Sequence, residues 1–150
     1  MGLTLDPTEL ALHGTFSRCA VSVKIGADDD GKRGLTGELR WEPWGLGLSI
    51  RNRGLLDFGL DVDDEAFARR FRVRGRDEAQ TRASLPRPLL AALSLFDELY
   101  LDDQRAVVRS RTPGHDQPWI GQFVRQLAAL CEALDAAAQA IPPPPALAAQ

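Results

Sequence analysis

Sulfur and imidazole are scarce in this chain, with two cysteines, one methionine and two histidines among 150 residues. Cys19 and Cys131 lie 112 positions apart, with no Cys-x-x-Cys spacing and no neighbouring histidine. A zinc site gathers its ligands at short spacings, so no metal centre is expected, and no cofactor either. Cys19 falls in an apolar strand-like run and Cys131 on the apolar face of a helical pattern. Both read as small buried hydrophobes in a reducing compartment. Long hydrophobic runs are missing as well. No window approaches the 18 apolar residues that would suggest a transmembrane segment. Residues 1–6 lack the charged start and long apolar core of a signal peptide, and Asp6 stands where a myristoylation signal wants Ser or Thr. The expected location is cytoplasmic.

Catalytic and nucleotide motifs are equally sparse. Gly45-Leu46-Gly47 lacks a third glycine and leads into a strand-like run, so neither a dinucleotide fingerprint nor a Walker loop is present. No serine sits in G-x-S-x-G. His13 and His115 are the only side chains that ordinarily titrate near neutrality, and the setting of His115 in Thr112-Pro113-Gly114-His115-Asp116 reads as a solvated loop. The acids of Asp28-Asp29-Asp30-Gly31 are contiguous, whereas a calcium loop needs them at alternate positions with a distal Glu. That stretch reads as a solvated hairpin turn.

What the chain does contain is arginine, 16 residues against 2 lysines. A GC-rich bacterial genome is the plain explanation, and bidentate anion recognition has to be argued position by position. The formal charge of −3 and a pI near 5.4 speak against a dedicated nucleic-acid binder. Hydrophobic content of 44% and charged content of 26% are ordinary for a folded soluble protein. At this length one α+β domain over residues 1–141 is expected, followed by a flexible proline-rich tail over 142–150.

Periodicity supplies the elements. Cys19, Val21, Val23 and Ile25 alternate with Ser22 and Lys24, which predicts a half-buried strand within 16–25. Asp-Gly at 30–31 then predicts a hairpin to a partner strand over 35–41. Leu46, Leu48 and Ile50 alternate into a third strand, ending near Arg53. Residues 3–12 read as a short amphipathic lead-in, with Asp6-Pro7 placed to open one helical turn. A short helix is expected over 64–69, a strand over 71–74, a helix from Asp77 to about 83, and another through Leu89, Leu90, Leu93 and Phe96. Two strands, 99–101 and 106–108, bracket a second hairpin.

From Pro118 onward, Ile120, Val124, Leu127, Cys131, Leu134, Ala138 and Ile141 step by alternating fours and threes. Trp119, Phe123 and Leu130 widen that stripe, which predicts a long helix laid on a sheet. A homodimer seam along this C-terminal helix is the other use of such a stripe. The expected architecture is therefore a mainly antiparallel sheet of about six strands, packed against the long C-terminal helix and shorter central helices.

The candidate binding residues lie at the switch from alternation to helical spacing. If 71–76 is extended, Arg70, Arg72, Arg74 and Arg76 project to one side at intervals of roughly 6.5–7 Å. Arg51 and Arg53 end another strand and extend the patch if that strand is adjacent. Charge pairing with Asp61, Asp63, Asp64, Glu65, Asp77 and Glu78 is the plain reading of such a row. An anionic ligand or an acidic partner is the functional one. Trp41 and Trp44, on either side of Pro43, read as core or edge packing, or as the lining of a groove. The prolines at 142–145 read as a helix stop, or as a polyproline ligand.

Phe67, Phe71, Val73, Gly75, Asp77, Glu78, Arg82, Ala83 and Leu85, followed by Leu89, Leu90, Leu93 and the hairpin over 99–108, form a pattern that resembles a group of uncharacterised bacterial α+β domains. The likeness covers about residues 57–110 and departs from the group at Thr81 and Pro86. It implies a bacterial α+β module and carries no site residue.

These observations lead to a non-enzymatic bacterial binding or adaptor module that recognises a protein partner. An anion-surface binder for lipid headgroups or single-stranded nucleic acid, using the same arginines, is the alternative. A small acidic secretion-type chaperone is a third, and a hydrolase with a spatially assembled site is a fourth.

Overall fold

A computed structural model describes residues 2–6, 11–16, 18–27, 33–54, 64–111 and 117–140. Within them the chain forms β1 (Gly2–Asp6), β2 (Ala11–Phe16), β3 (Cys19–Ala27), β4 (Arg33–Arg40), β5 (Ser49–Asn52), α1 (Glu65–Arg70), β6 (Phe71–Arg74), α2 (Glu78–Ala83), α3 (Arg87–Leu93), β7 (Glu98–Asp102), β8 (Arg105–Arg111) and α4 (Gln117–Ala140). All eight strands join one sheet in the order β1-β2-β3-β4-β8-β7-β5-β6. Each neighbouring pair is antiparallel. The class is α+β, as the periodicity implies.

The two strands beyond the expected number are β1 and β2. Leu3 and Leu5 face Gly14 and Leu12 across that pair, so residues 2–6 and 11–16 form a ribbon added to β3. Its alternation spans too few residues to stand out in the sequence. The third strand starts at Ser49, later than the leucine alternation suggests, because Gly45 and Gly47 take φ of 72° and 65°. Those left-handed residues break the extended run. The segment is instead docked on the β7–β8 turn, where the Asp103 carboxylate accepts from the backbone N–H of Gly47 (2.8 Å) and Leu48 (2.9 Å).

The short helices begin where acids cap them. Asp64 accepts from the Phe67 N–H at 3.0 Å and Asp77 from the Gln80 N–H at 2.9 Å, each satisfying a donor that the first turn leaves open. Pro86 and Pro88 bracket the start of α3, whose Leu89, Leu90 and Leu93 are buried. The turn at 28–32, the chain from Pro7 to residue 10, the loop over 112–116 with His115, Asp61 and Asp63, and the proline run at 142–145 lie outside the described residues.

Helix α4 decides which sheet face becomes core. Its Phe123, Leu127, Leu130, Cys131, Leu134 and Ala137 are all buried within the chain. They share one buried cluster with Val21, Val23, Leu35, Leu39, Val108, Leu101, Ile50 and Val73 from six different strands. The Phe96 and Phe123 rings meet edge to face at 5.7 Å and tie the α3 end of this layer to α4. No helix among the described residues is long and apolar enough to cross a membrane.

Helix α4 approaches the sheet at Gly37 in β4. A Cβ there would lie 2.8 Å and 3.0 Å from the two Leu127 methyls and 3.3 Å from Val108. A side chain at this position would force Leu127 to shift against the filled core. Gly37→Val is therefore expected to lower stability by about 1–3 kcal/mol, as overpacking of a filled core does. Urea unfolding measures it, and an unchanged midpoint would contradict this packing.

Candidate functional site

Alternation along each strand sends one set of side chains into the core under α4 and the other set to the opposite face. No described helix covers that second face. The register lines its residues up across strands. One row runs His13, Ser22, Glu38, Val107, Tyr100, Arg51 and Arg72, from β2 to β6. The next runs Arg40, Arg105, then Asp102, Ser49 and Arg74. Arg109 stands between Thr36 and Glu98.

The six expected binding residues divide accordingly. Strand β5 is adjacent to β6, with Arg51 directly opposite Arg72 and also opposite Tyr100 on its other side. Arg51 and Arg74 are exposed on the helix-free face. Arg72 points the same way but is only 5% exposed. The anticipated line of four guanidinium groups along one ribbon does not form. Its strand is four residues long, because the Asp64-capped helix claims Arg70 at one end and the Asp77 cap of α2 ends it at the other.

Arg70 has a structural role. Its Nη1 donates to the Ser94 carbonyl at 2.8 Å and its Nη2 to the Phe96 carbonyl at 2.5 Å, while the guanidinium lies 4.7 Å from the Phe71 ring centre. It clasps the end of α1 to the α3–β7 connection. Arg76 lies beyond the strand, its N–H donating to the Leu46 carbonyl at 3.2 Å and its side chain packed beside Gly47. The Arg53 N–H donates to the Arg70 carbonyl at 2.8 Å, just past the end of β5.

In place of that line, arginines from separate strands converge on Tyr100. Thr36, Arg51, Asn52, Glu98, Tyr100, Val107 and Arg109 surround an open depression of about 590 Å³. Tyr100 is 40% exposed, one of few large apolar rings facing water. The Arg105 guanidinium lies 5.8 Å from its ring centre, and its hydroxyl donates to Asp102 Oδ2 at 3.3 Å. Asn52 shapes one wall: its Oδ1 accepts from the Leu99 N–H at 2.8 Å and its Nδ2 donates to the Asp97 carbonyl at 3.3 Å.

Acids on this face are partly spent on local partners. Glu38 Oε1 takes a hydrogen bond from Arg40 Nε at 2.7 Å and sits 3.9 Å from Arg105 Nε, a contact too long for a second hydrogen bond. Asp102 Oδ1 accepts the N–H groups of Gln104 and Arg105, both at 2.9 Å, and so fixes the β7–β8 turn. Basic side chains outnumber acidic ones here, although the whole chain is acidic.

Sequence reasoning missed Arg40, Arg105, Arg109 and Tyr100. The alternation Arg105-Ala106-Val107-Val108-Arg109 does put both arginines on one face. That β8 would run beside β4, and β7 beside β5, has no local signature.

Among the described residues no group of three or more His, Cys, Asp and Glu side chains could hold a metal ion. His13 is exposed opposite Ser22, and Ser22 is opposite Glu38, but no hydrogen bond joins these side chains and Arg40 occupies the Glu38 carboxylate. Trp41 and Trp44 are half-buried against the core, their ring centres 5.6 Å apart. No family model matches the chain, and no curated protein or solved structure does.

The two classes of arginine separate experimentally. Arg70→Ala is expected to cost about 1–2 kcal/mol through two lost charge-assisted hydrogen bonds, reduced by partial solvent screening. Arg74→Ala should stay within ~0.5 kcal/mol of the parent. Equal unfolding midpoints for the two variants would contradict the clasp.

Proposed function

We propose that this chain is a non-enzymatic binding module that docks an acidic segment of a protein partner on the helix-free face of its sheet. The carrying observation is that Arg51 and Arg109 line a solvent-open depression with the exposed Tyr100, whose ring centre lies 5.8 Å from the Arg105 guanidinium. Arginine and tyrosine are the side chains that most often anchor protein interfaces, since each presents a large rigid surface with a polar end. Charge complementarity names the occupant. A carboxylate-rich segment meets guanidinium groups in the bidentate geometry they favour, whereas a basic segment would be repelled.

A phosphate-bearing surface would use the same groups, but two features favour a peptide. Glu98 lines the depression, and Tyr100 is the one aromatic ring in its lining, where single-stranded nucleic acid is usually held by several stacking platforms. The secretion-chaperone reading rests on chain length and pI alone.

The test compares the parent chain with Arg51→Glu/Arg74→Glu, two exposed positions whose reversal leaves the core untouched. Arg72 is unsuitable because its burial would confound binding with folding. Proteins retained from a lysate of the source cell should include an acidic partner, lost by about tenfold or more in the variant and weakened in high salt. Retention by the variant at full strength would exclude this face. Binding of anionic vesicles or an oligonucleotide, with no protein retained, would replace the reading with the phosphate one.

A further inference from the structure

The two ends of the sheet are finished differently. At one end, β6 is four residues long and runs directly between α1 and α2. At the other, β1 pairs with β2 along its whole length, from Gly2↔Thr15 to Asp6↔Ala11, with no bulge in the register. Among the described residues no strand lies on the outer side of β1. Soluble proteins blunt such an edge with lysine, an internal proline or a bulge, because its open backbone groups pair with any strand that reaches them. Residues 2–6 contain none of these, and their single charge, Asp6, stands at the end.

The register determines which backbone groups are open. Phe16 and Cys19 are paired across a two-residue connection, so they exchange hydrogen bonds with each other. Bonded pairs recur at every second residue of an antiparallel ladder. Gly14 and Leu12 are therefore bonded to β3, and Thr15, His13 and Ala11 to β1. Their partners Gly2, Thr4 and Asp6 turn their N–H and C=O groups inward. Leu3 and Leu5 turn theirs to the open edge.

This set is its own complement. When a second β1 approaches antiparallel with Thr4 opposite Thr4, Leu3 of each copy stands opposite Leu5 of the other, and every open donor meets an open acceptor. Shifted registers lose this match. Centring the pair on Leu5 sets Leu3 opposite Pro7, which has no N–H. Centring it on Leu3 carries Leu5 beyond the strand, opposite residue 1. In the Thr4 register Asp6 falls opposite Gly2, so the two Asp6 positions stand roughly 14 Å apart, past the Debye length at physiological salt. The positions of Leu3 and Leu5 also continue the rows of Val21 and Val23, which belong to the core. Pairing at this edge joins the apolar rows of the two copies.

We propose that β1 is a self-association edge, at which two copies of this chain pair β1 to β1 about a two-fold axis at Thr4 and join their eight-stranded sheets into one. Two-fold symmetry lets a single patch satisfy itself and closes the assembly at two copies. The edge lies at the opposite end of the sheet from β5 and β6, so docking of an acidic segment neither requires nor prevents it.

Sedimentation velocity of the full chain over a concentration series reads the association. A dimer is expected, and a monomer at every concentration up to about 1 mM, where even a weak contact is populated, would overturn the proposal. Thr4→Lys sets like charges opposite each other on the axis and should weaken the dimer by about fivefold or more. Leu5→Pro removes an edge donor while sparing the β1–β2 ladder, and should give a monomer with the parent's far-UV spectrum. Under mild oxidation Thr4→Cys should form a disulfide between copies, since unbonded antiparallel pairs bring Cα atoms to about 4.5 Å. Leu3→Cys, opposite Leu5, should not, and neither should the parent, whose two cysteines are buried. Dimers that persist unchanged in Thr4→Lys and Leu5→Pro, or cross-linking of Leu3→Cys as fast as Thr4→Cys, would also overturn it. The Thr4→Cys cross-link decides the matter if Leu5→Pro fails to fold.

Discussion

Helix α4 packs on β4 at Gly37, where a Cβ would come within 2.8 Å and 3.0 Å of the Leu127 methyls. From that contact the two faces of the sheet acquire different chemistry. The face under α4 must be apolar from β3 across to β6, because every polar group there would lose water without a partner. The opposite face is released from that demand and can carry charge. Burial of side chains such as Leu127, Leu130 and Leu134, each contributing about 1.5–3 kcal/mol before losses of chain entropy, makes the arrangement one-sided.

The arginines follow from this asymmetry. Those on alternate strand positions away from α4, such as Arg51, Arg105 and Arg109, are set side by side by the register, whatever their separation in sequence. Arg70 has left that face because a helix ends beneath it, and its guanidinium holds backbone carbonyls that would otherwise lack donors. A high arginine content thus resolves into a structural use at Arg70 and a solvent-facing one at Arg51 and Arg74.

Much of the fold is legible in the sequence because its signals are local. Asp64 and Asp77 announce helix starts, the period of α4 announces a covered face, and the polar turn at 102–105 announces the β7–β8 hairpin. The β1–β2 ribbon is not legible, since its alternation is short and Gly14 interrupts it. Nor is the late start of β5, which depends on two left-handed glycines. The candidate site is harder to read for a different reason. Arg51 and Arg72 are recognisable as strand residues, but Arg109 and Tyr100 join them only through pairings between distant segments.

The accessibility of the helix-free face, open at Arg51 and Arg74 and closed at Arg72, can be tested on the arginines themselves. A dicarbonyl reagent that modifies guanidinium groups, followed by peptide mass mapping, reports the accessibility of each one in the folded chain. The account predicts rapid modification of Arg51 and Arg74, and protection of Arg72 until the protein unfolds. Modification of Arg72 at the rate of its neighbours, or protection of Arg51 and Arg74, would contradict it.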